Sequence, residues 1–390
     1  MSVPMLPSEW ARVRISDVAT VSRGASPRPI ASARWFSDNS EVGWVRISDL
    51  GRSDGLTLKT TTQRLSQDGI ARSRFLPPGT LIMSIAATVG VPIITGIPAC
   101  IHDGFVALER LRGVDQMYLL YALKSLEDEL RSAGQTGSQA NVNTEIVNGL
   151  LVNLPPEPEQ KRIAEALRDT DNQIAALKSL VMKKQAISQG MMQQLLSGKT
   201  RLSGFSQPWQ AFQLGDVARI KTGTRNNQDK KPSGRYPFFV RSATVERIDT
   251  FSYDCEAILI PGEGGIGSIF HYINGKFEVH QRVYAISHFN SGVSGKFVYF
   301  YLRQFFGPHA MENSVKATVD SLRLPTFKGF RMTMPARLDE QEAIVAALSD
   351  CADEIELLNT RLAKARDLKQ GMMQELLTGR TRLLVGKPAG

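Results

Sequence analysis

The sequence predicts an α+β protein in which two mixed α/β domains are each followed by a long helix, and the two helices pack against each other. Three observations support this fold class. A long stretch occurs twice, both copies carry apolar residues at heptad spacing, and both follow a segment of short β-like runs. We therefore divide the chain into a first domain (1–153), a first long helix (154–202), a second domain (203–335) and a second long helix with a C-terminal tail (336–390).

The repeated stretch keeps one offset from end to end. Gln160 and Gln341 are 181 residues apart, and so are Gly190 and Gly371 near the other end of each copy. A constant offset over this length indicates an internal duplication.

The duplication extends into the segments that precede the helices. Trp10 corresponds to Trp209 at an offset of 199, so the first segment carries about 18 more residues than the second. We place this net insertion between Ile30 and Leu76. The β-like runs, which include 44–47 in the first segment and 268–271 in the second, recur together with a closing helical run. This recurrence indicates two related α/β domains.

The helices carry apolar residues at alternating spacings of four and three. A pattern sustained over several heptads is typical of a coiled coil. About forty residues at about 1.5 Å per residue give a helix of roughly 60 Å, and alone it would expose its apolar stripe to water. We therefore expect the two helices to bury their stripes together, through the seam residues Ile163, Leu167, Ile174, Leu177, Val181, Met191, Leu195, Ile344, Leu348, Ile355, Leu358, Leu362, Met372 and Leu376.

Glycines mark two places in each helix. Gly198 and Gly379 stand where a helix ends, and we expect the left-handed conformation there. Gly190 and Gly371 lie inside the helices, where glycine costs about 1 kcal/mol relative to alanine. Their recurrence indicates close approach of another backbone, which belongs either to the partner helix or to a docked subunit.

Composition excludes several classes of protein. No run of eighteen apolar residues is present, so no transmembrane span is expected. The N-terminus lacks the charged-then-apolar pattern of a signal peptide. The three cysteines are scattered, which predicts neither a disulfide framework nor a zinc site and favours a cytoplasmic location.

The charge distribution indicates an anionic partner. The net charge is +9, and a cluster of basic residues lies between Arg219 and Arg247 in a stretch rich in Gly, Asn and Ser. A solvated charged face is the alternative explanation. The flanking aromatic residues favour nucleic acid.

No enzyme site emerges from the sequence. Residues 262–267 match the glycine pattern of dinucleotide-binding sites. However, the residues that follow are typical of a β-strand, whereas a dinucleotide site requires a helix whose N-terminus binds the phosphates. The histidines form no metal-ligand pair at helical spacing. His102-Asp103 and His280-Gln281 fall at equivalent places without an evident nucleophile, and we interpret them as readers of base edges.

Two equivalent loops are built of small residues, Ser84–Gly90 in the first domain and Gly262–Gly267 in the second. Small residues allow close approach of the backbone to a ligand such as DNA. A plain tight turn explains either loop equally well.

As a set, these motifs resemble the DNA-specificity (S) subunit of type I restriction–modification systems. The resemblance covers essentially the whole chain. It is carried by the following motifs: Leu154-Pro-Pro156 with Glu159-Gln160-x-x-Ile163, Met334-Pro335 with Glu340-Gln341-x-x-Ile344, the Gly-Met-Met-x-x-Leu-Leu helix ends, and Trp44-Val-Arg-Ile-Ser-Asp-Leu50.

This resemblance implies two target-recognition domains on an antiparallel coiled coil with a pseudo-twofold internal repeat. Each domain would read one half of a bipartite site in double-stranded DNA, and the coiled coil would set the spacer. The chain itself would be non-catalytic, with no cofactor or metal. Two adenine-DNA methyltransferase subunits using S-adenosylmethionine would dock on it, and two restriction subunits using ATP and Mg would join through them.

Candidate DNA-binding residues follow from side-chain chemistry. Arg, Asn and Gln can make bidentate contacts to guanine or adenine, and Lys mainly contacts phosphate. We predict contacts from Arg23, Ser26, Arg28, Arg34, Arg46, Ser48, Asp49, Ser84, Thr88, His102, Asp103, Gln139 and Asn141 in the first domain, and from Arg225, Asn226, Asn227, Lys230, Lys231, Arg235, Arg241, Ser242, Glu263, His280, Gln281, Arg282 and Lys316 in the second.

Two other functions remain open from the sequence alone. One is an autonomous restriction nuclease on the same scaffold, which would cleave DNA without a partner when given a divalent metal. The other is a coiled-coil scaffold that binds proteins and no DNA, which a salt-dependent DNA affinity would exclude.

Overall fold

The computed structural model describes residues 6–134, 142–314 and 321–383. The chain divides into two compact units. Unit 1 comprises the residues up to Lys178 together with those from Thr360 onward, and unit 2 comprises Ser179–Asn359. Each long helix contributes one part to each unit.

Unit 1 contains a five-stranded sheet (order β2-β10-β7-β8-β4), a four-stranded sheet (β5-β3-β9-β6) and a two-stranded sheet (β1-β11). Its strands are β1 Ala11–Arg14, β2 Thr20–Arg23, β3 Gly43–Val45, β4 Thr57–Leu58, β5 Gln63–Arg64, β6 Arg74–Leu76, β7 Leu81–Ser84, β8 Pro92–Thr95, β9 Ala99–Ile101, β10 Phe105–Glu109 and β11 Leu151–Leu154. Its helices are α1 Ile15–Val18, α2 Ile47–Leu50, α3 Gln67–Ala71, α4 Gln116–Ser125, α5 Glu127–Gly134 and α6 Thr144–Gly149, followed by the long helix α7 Glu157–Leu196.

Unit 2 repeats this plan with fewer elements, as a six-stranded sheet (β13-β18-β16-β17-β14-β15) and a two-stranded sheet (β12-β19). Its strands are β12 Trp209–Gln213, β13 Arg219–Thr222, β14 Tyr236–Phe239, β15 Glu246–Ile248, β16 Tyr253–Pro261, β17 His271–Val279, β18 Val283–Ser287 and β19 Arg331–Pro335. Its helices are α8 Leu214–Val217, α9 Gly295–Glu312 and α10 Leu324–Lys328, followed by the long helix α11 Leu338–Leu376.

The additional elements of unit 1 explain the length difference between the repeated segments. Strands β4 and β5 and helix α3 lie between β3 and β6, inside the interval where the sequence placed the insertion. Unit 2 has a single short strand, β15, between β14 and β16.

The two long helices pack antiparallel within each unit. In unit 1 the start of α7, with Ile163 and Leu167, shares a core with Leu376 at the end of α11. In unit 2 the end of α7, with Leu195, shares a core with Ile344 at the start of α11. The predicted coiled-coil fold is therefore confirmed.

The seam residues lie where the heptad pattern places them. The buried ones are Ile163, Leu167, Ile174, Leu177, Val181, Leu195, Ile344, Leu348, Leu358, Leu362 and Leu376. Met191, Ile355 and Met372 are half-buried. Burial of a large aliphatic side chain contributes about 1.5–3 kcal/mol, so this seam stabilises the pairing strongly.

Polar residues at seam positions find partners on the facing helix. In unit 2, Lys184 Nζ lies 2.7 Å from Glu354 Oε2. In unit 1, Lys369 Nζ lies 2.6 Å from Asp171 Oδ1, and both side chains are less than one quarter exposed. Such pairs favour one register of the helices over others.

The glycines inside the helices do not contact the facing helix. A Cβ atom added at Gly190 or Gly371 meets no atom of the described residues within 4 Å. Close packing of the partner helix is therefore not the reason for these glycines. Gly198 and Gly379 have φ values of +69° and +76°, which confirms the predicted left-handed helix ends.

Two predicted strands end elsewhere in the structure. The run Trp44–Ile47 stops at Val45, because the Asp49 carboxylate accepts the N–H of Arg46 at 2.9 Å and starts α2. The run Ser268–His271 is mostly a turn, and its last residue begins β17. Left-handed Gly264, Gly265 and Gly267 reverse the chain there. No helix in the described part of the chain is long and apolar enough to cross a membrane.

Candidate nucleic-acid interface

Some of the predicted DNA-binding residues lie at one edge of a parallel strand pair in each unit. In unit 1, β3 runs parallel to β9, with Val45 opposite Ile101. In unit 2, β14 runs parallel to β17, with Phe239 opposite Val279. Because parallel strands end at the same edge, the loops that follow these strands lie together. These loops carry Arg46, His102 and Asp103 in unit 1 and Arg241, His280 and Gln281 in unit 2.

A histidine follows the second strand of each pair and holds the same turn. His102 Nδ1 accepts a hydrogen bond from the N–H of Gly104 at 2.7 Å. His280 Nδ1 accepts one from the N–H of Arg282 at 3.0 Å. Burial lowers the pKa of both imidazoles, which favours the neutral acceptor form.

This arrangement corrects the interpretation of His280 as a reader of bases. Its side chain is only 4% exposed and its Nδ1 atom is occupied by the backbone. His102 is half-buried and makes the equivalent bond. Shaping the loop is therefore the role that the structure gives His280, whereas His102 also lines a cleft together with Trp44 and Arg46.

A glycine lets the chain cross beneath each histidine turn. A Cβ atom added at Gly24 would lie 2.1 Å from the carbonyl oxygen of His102. One added at Gly223 would lie 1.9 Å from the carbonyl oxygen of Val279. No side chain fits at either position, so both glycines are required by the fold rather than by a ligand.

Unit 1 presents an aspartate surrounded by donors. Ser26 Oγ donates to Asp103 Oδ1 at 2.7 Å, and Arg28 Nη2 donates to Asp103 Oδ2 at 3.2 Å. The Nε atom of Arg23 donates to the Asp103 carbonyl oxygen at 2.9 Å. Burial acts to raise the pKa of Asp103, but the Ser26 hydrogen bond and nearby charges outweigh it and lower the pKa.

These residues open onto a cleft of about 260 Å³ that Trp44 and Arg46 also line. Arg46 is exposed, and its Nη1 atom donates to Gln63 Oε1 at 3.0 Å. The exposed guanidinium of Arg34 lies 4.0 Å from the centre of the Trp35 ring. Each guanidinium keeps free donors for DNA.

Two predicted contacts of unit 1 are corrected by their burial. Asp49 is fully buried, and its Oδ1 atom accepts the N–H and the hydroxyl of Thr62 at 3.0 and 2.9 Å. Ser84 is also fully buried, and its hydroxyl bonds to the backbone of Thr88 and Val91. Both side chains stabilise turns and are shielded from a bound duplex.

Of the remaining candidates of unit 1, some are exposed and others lie outside the described residues. Ser48 and Thr88 have exposed side chains. Gln139 and Asn141 lie outside the described residues, as does Lys316 of the second domain.

Unit 2 presents two linked amides. Gln281 Nε2 donates a hydrogen bond to Asn226 Oδ1. The neighbouring Arg225 lies 3.5 Å from Glu278, measured from Nε to Oε2, and Glu278 is fully buried. Asn227 is exposed next to this pair.

An acidic residue positions two arginines beside the amides. Glu263 Oε2 lies 3.4 Å from Arg241 Nη1, and Glu263 Oε1 lies 3.4 Å from Arg282 Nη1. Both arginine side chains are about half exposed. Glu263 therefore orients cations here, and a cleft of about 320 Å³ lined by Arg241, Ser242 and Glu263 opens next to it.

The outer lysines of unit 2 form exposed ion pairs. Lys230 Nζ lies 3.2 Å from Glu246, and Lys231 Nζ lies 2.8 Å from Asp249. The Arg235 guanidinium lies 5.6 Å from the ring centre of Tyr236. Exposed pairs of this kind contribute little to stability, so these cations can exchange partners with phosphates.

Sequence reasoning missed a buried clamp that closes each unit. In unit 1, Arg382 binds the Glu159 carboxylate with Nε and Nη2 at 2.8 and 2.9 Å, and the Trp10 Nε1–H donates to it at 3.1 Å. Burial acts to raise the pKa of Glu159, but these donors lower it. The start of α7 is thereby tied to the segment after α11.

The same clamp recurs in unit 2 with the helices exchanged. Arg201 binds the Glu340 carboxylate at 2.7 and 2.8 Å, and Trp209 donates to it at 3.2 Å. Here the start of α11 is tied to the segment after α7. The signal was present in the sequence, since Arg201 and Arg382 keep the offset of the helical repeat.

The glutamine beside each clamp fixes the recognition domain to its helix. Gln160 Oε1 accepts the N–H of Asp115, which caps α4, at 2.7 Å. Gln341 Oε1 accepts the N–H of Ser294, which caps α9, at 2.9 Å. The Glu-Gln pair in the repeated motif is therefore a structural joint.

Within the described ranges, no group of His, Cys, Asp and Glu is arranged to hold a metal ion. A family model described as type I restriction modification DNA specificity domain matches residues 7–184 and 206–366. The chain belongs to this family. Each copy of the domain covers one recognition segment and part of the long helix that follows it.

Known type I specificity subunits align with most of the chain. The MjaVIII specificity subunit from Methanocaldococcus jannaschii is 21% identical over 412 residues, which cover 97% of this chain and 94% of that protein. The EcoDI specificity subunit from Escherichia coli is 27% identical over 170 residues, which cover 44% and 37%. Specificity subunits are non-catalytic DNA-recognition proteins, so the chain is not itself an enzyme.

Solved specificity subunits share the fold. The crystal structure of the type I restriction–modification S subunit from M. genitalium superposes with a TM-score of 0.66 at 14% identity, covering 94% of this chain and 96% of that one. The HsdS subunit from Thermoanaerobacter tengcongensis superposes with a TM-score of 0.53 at 17% identity. The two-domain architecture with long paired helices is thus that of an S subunit.

Proposed function

We propose that this specificity subunit reads a bipartite site in double-stranded DNA, with one half-site read by each recognition domain (1–153 and 203–335). The observation that carries the proposal is the repeated loop with unlike side chains. The histidine turn and the glycine crossing are the same in both units, whereas the residues that they expose differ. One scaffold with two sets of readers suits two different half-sites.

Side-chain chemistry assigns the readers and the phosphate contacts. Exposed arginines and amides at the loop edges contact bases, because their donors match groove edges. Lys230, Lys231 and the other exposed cations contact phosphates, which fixes orientation without reading sequence. A net charge of +9 adds a salt-dependent attraction to DNA.

The long helices dock two adenine methyltransferase subunits in this proposal. Gly190 and Gly371 present bare backbone with no neighbour within 4 Å among the described residues. Apolar side chains on the same helices are exposed, including Met182 at 70% and Leu357 at 60%. Exposed apolar surface on a soluble helix pair favours a protein partner.

The partners supply the chemistry in the cytoplasm. The methyltransferase subunits use S-adenosylmethionine, and two restriction subunits that join through them use ATP and Mg. The helix pair sets the spacer between the half-sites.

The decisive experiment is methylome sequencing of the host with and without this gene. Loss of adenine methylation at one bipartite motif is expected in the deletion strain. Restored methylation after complementation with the full chain completes the test, and an unchanged methylome contradicts the proposal.

Binding and cleavage assays separate the rival functions. The purified chain should bind DNA with an affinity that falls steeply with salt and rises when the methyltransferase is added. Cleavage of DNA by the chain alone with Mg²⁺ would establish an autonomous nuclease. Binding of protein partners without any DNA affinity would establish a scaffold.

The helix pair can be tested as a ruler. Equal insertions in α7 and α11 should change the spacer of the methylated motif and leave both half-sites unchanged. Changed half-sites would exclude this role of the helices.

A further inference from the structure

We propose that the linked amides Asn226 and Gln281 read an A·T base pair in the half-site of unit 2. This inference rests on the proposed function and deepens it, because it names the base pair. It follows from how the two side chains are held and from the groups that they leave free.

The backbone fixes both residues. The N–H of Gln281 donates to the Arg225 carbonyl oxygen at 2.8 Å. The N–H of Asn226 donates to Asp229 Oδ2 at 2.8 Å. The two side chains then bond to each other at the exposed edge of the loop, from Gln281 Nε2 to Asn226 Oδ1. A reader fixed in this way loses little conformational entropy when DNA binds.

The bond between the amides leaves a complementary pair of groups. Each amide has one carbonyl oxygen and one amino group, and the mutual bond uses one of each. Gln281 Oε1 and the Asn226 Nδ2 amino group remain, with no hydrogen bond to any described residue. Reversing both amides would still leave one acceptor and one donor.

An adenine presents the matching groups in the major groove. Its N7 atom accepts a hydrogen bond and its N6 amino group donates one. The free amino group of Asn226 suits N7, and the free carbonyl oxygen of Gln281 suits N6. Guanine presents two acceptors, N7 and O6, so it would place an acceptor against the Gln281 oxygen.

Cations flank the amides at positions that acidic residues fix. Arg225 is held by Glu278, and Arg241 and Arg282 are held by Glu263. Backbone phosphates on both sides of a groove can bind these guanidinium groups. The phosphate contacts then set the depth at which the amides meet the base edge.

The equivalent loop of unit 1 carries different chemistry. Asp103 follows His102 as Gln281 follows His280, and it holds Arg28 at 3.2 Å. An oriented guanidinium with free donors suits the N7 and O6 acceptors of guanine. Changes at Asn226 and Gln281 should therefore leave the half-site of unit 1 unchanged.

The test is selection of DNA from a library randomised in both half-sites, with the full chain bound to its methyltransferase subunits. The wild type should select A·T at one position of one half-site. Gln281→Glu keeps the size of the side chain but removes its amide donor to Asn226, and it should reduce that preference about tenfold. Lys230→Ala is the matched control, and it should weaken binding to all sequences without changing the motif.

Modified DNA tests the contact without a protein variant. Replacing the selected adenine by 7-deazaadenine removes the N7 acceptor and should weaken wild-type binding about tenfold. The same replacement should have no effect on Asn226→Ala. Binding is compared at one fixed salt concentration, and thermal melting confirms that each variant folds.

The outcomes separate this inference from the proposed function. A preference for A·T that Gln281→Glu leaves unchanged at every position of that half-site overturns the inference. So does a wild-type affinity that 7-deazaadenine leaves unchanged at each selected adenine. Binding with no sequence preference in either half-site contradicts the proposed function instead.

Discussion

Unit 1 and unit 2 can be compared bond by bond. Glu159 and Glu340 each accept hydrogen bonds from the Nε and Nη2 atoms of an arginine, one at each carboxylate oxygen. Each also accepts a hydrogen bond from a tryptophan N–H. The loops that follow the histidines differ instead, with Asp103 in unit 1 where unit 2 has Gln281. The clamp contacts are therefore duplicated, whereas the side chains of these exposed loops are not.

This difference between clamps and loops shows that buried clamp residues are constrained by the fold, whereas exposed loop residues are not. Removing the arginine from a buried carboxylate destabilises the fold by several kcal/mol, so both copies of the clamp must stay intact. An exposed loop side chain has no such penalty, and it can change with the DNA sequence that it reads. Predictions that compare the two units test this division.

The largest effect is expected at the clamps. Glu159→Ala leaves the Trp10 N–H without its acceptor, and among the described residues it leaves the Arg382 guanidinium with only the exposed Glu9 carboxylate. This change should destabilise unit 1 by about 3 kcal/mol. Glu340→Ala should destabilise unit 2 by a similar amount. Urea unfolding measures the loss of stability in each variant, and hydrogen exchange shows which unit is affected.

Glu157→Ala is the matched control for the clamps. Glu157 lies in the first turn of the same helix, and its ion pair with Lys161 is exposed. Little change in stability is expected. An equal loss for Glu157→Ala and Glu159→Ala would show that helix charge, rather than the clamp, stabilises the unit.

Glu159 also gives the clamp a pH dependence. Its pKa in the folded chain is below its ordinary value of 4.5, so its contribution is fully present above that pH. The contribution is lost as the pH falls through the folded pKa. Glu159→Ala should therefore differ less from the wild type in acid than at pH 7.

The sequence predicted the helical scaffold well because duplication and heptad spacing are strong periodic signals. The seam of Leu167 and Leu348 follows directly from the sequence, since the heptad positions decide which face is buried. The clamp was missed because Glu159 and Arg382 are 223 positions apart, and only the fold brings them together.

The loops were less predictable because burial is a tertiary property. Asp49 and Ser84 have side chains suited to DNA, yet both are fully buried and bond to their own turns. The small-residue loop of unit 2 contacts the protein itself, where a Cβ atom added at Gly267 would lie 2.9 Å from Gly307. The residue types indicate the chemistry of each loop, but the residues packed around the loop determine which polar atoms remain free to bind DNA.

A second effect should be confined to unit 1. Asp171 accepts hydrogen bonds from Lys369 at 2.6 Å and from the Tyr121 hydroxyl at 2.8 Å, which joins α4 to both long helices. The repeat places Ala352 at the equivalent position of unit 2, so no such network forms there. Asp171→Ala should cost about 2 kcal/mol.

Hydrogen exchange locates this second effect. Amides of α4 should exchange faster in Asp171→Ala, and those of α9 should not change. Glu354→Ala provides the control, because it removes the exposed ion pair with Lys184 in unit 2 and should have little effect. Faster exchange in both units would show that the two junctions are not independent.

A third, smaller effect is expected at the open glycines. Gly190→Ala and Gly371→Ala should each stabilise the free chain by about 1 kcal/mol, because alanine favours the helix and meets no neighbour. Binding of the methyltransferase should weaken if a subunit packs on this bare backbone. Thermal melting and a binding titration measure the two effects separately.

Gly198→Ala is the matched control for the open glycines. Its φ value of +69° is unfavourable for alanine, and an added Cβ atom would lie 3.3 Å from the Trp209 ring. This substitution should destabilise the chain by about 1 kcal/mol. Stabilisation at all three positions would contradict the assignment of Gly198 to a left-handed helix end.

The smallest effect concerns the two histidine turns. Burial lowers the pKa of His102 below 6.5, but Asp103 acts in the opposite direction. Burial also lowers the pKa of His280, and Arg241 and Arg282 lower it further. Since both folded pKa values are depressed, each neutral imidazole stabilises its turn above pH 6.5, and the stabilisation is lost as the pH falls through the folded pKa.

Titration of the imidazole proton signals by NMR distinguishes the two turns. The nearby charges act in opposite directions on the two imidazoles, since Asp103 raises the pKa of His102 whereas Arg241 and Arg282 lower that of His280. Asp103→Asn removes the negative charge and should move the midpoint of His102 downward, while that of His280 stays constant. An unchanged midpoint of His102 in Asp103→Asn would show that the Asp103 charge does not act on this turn.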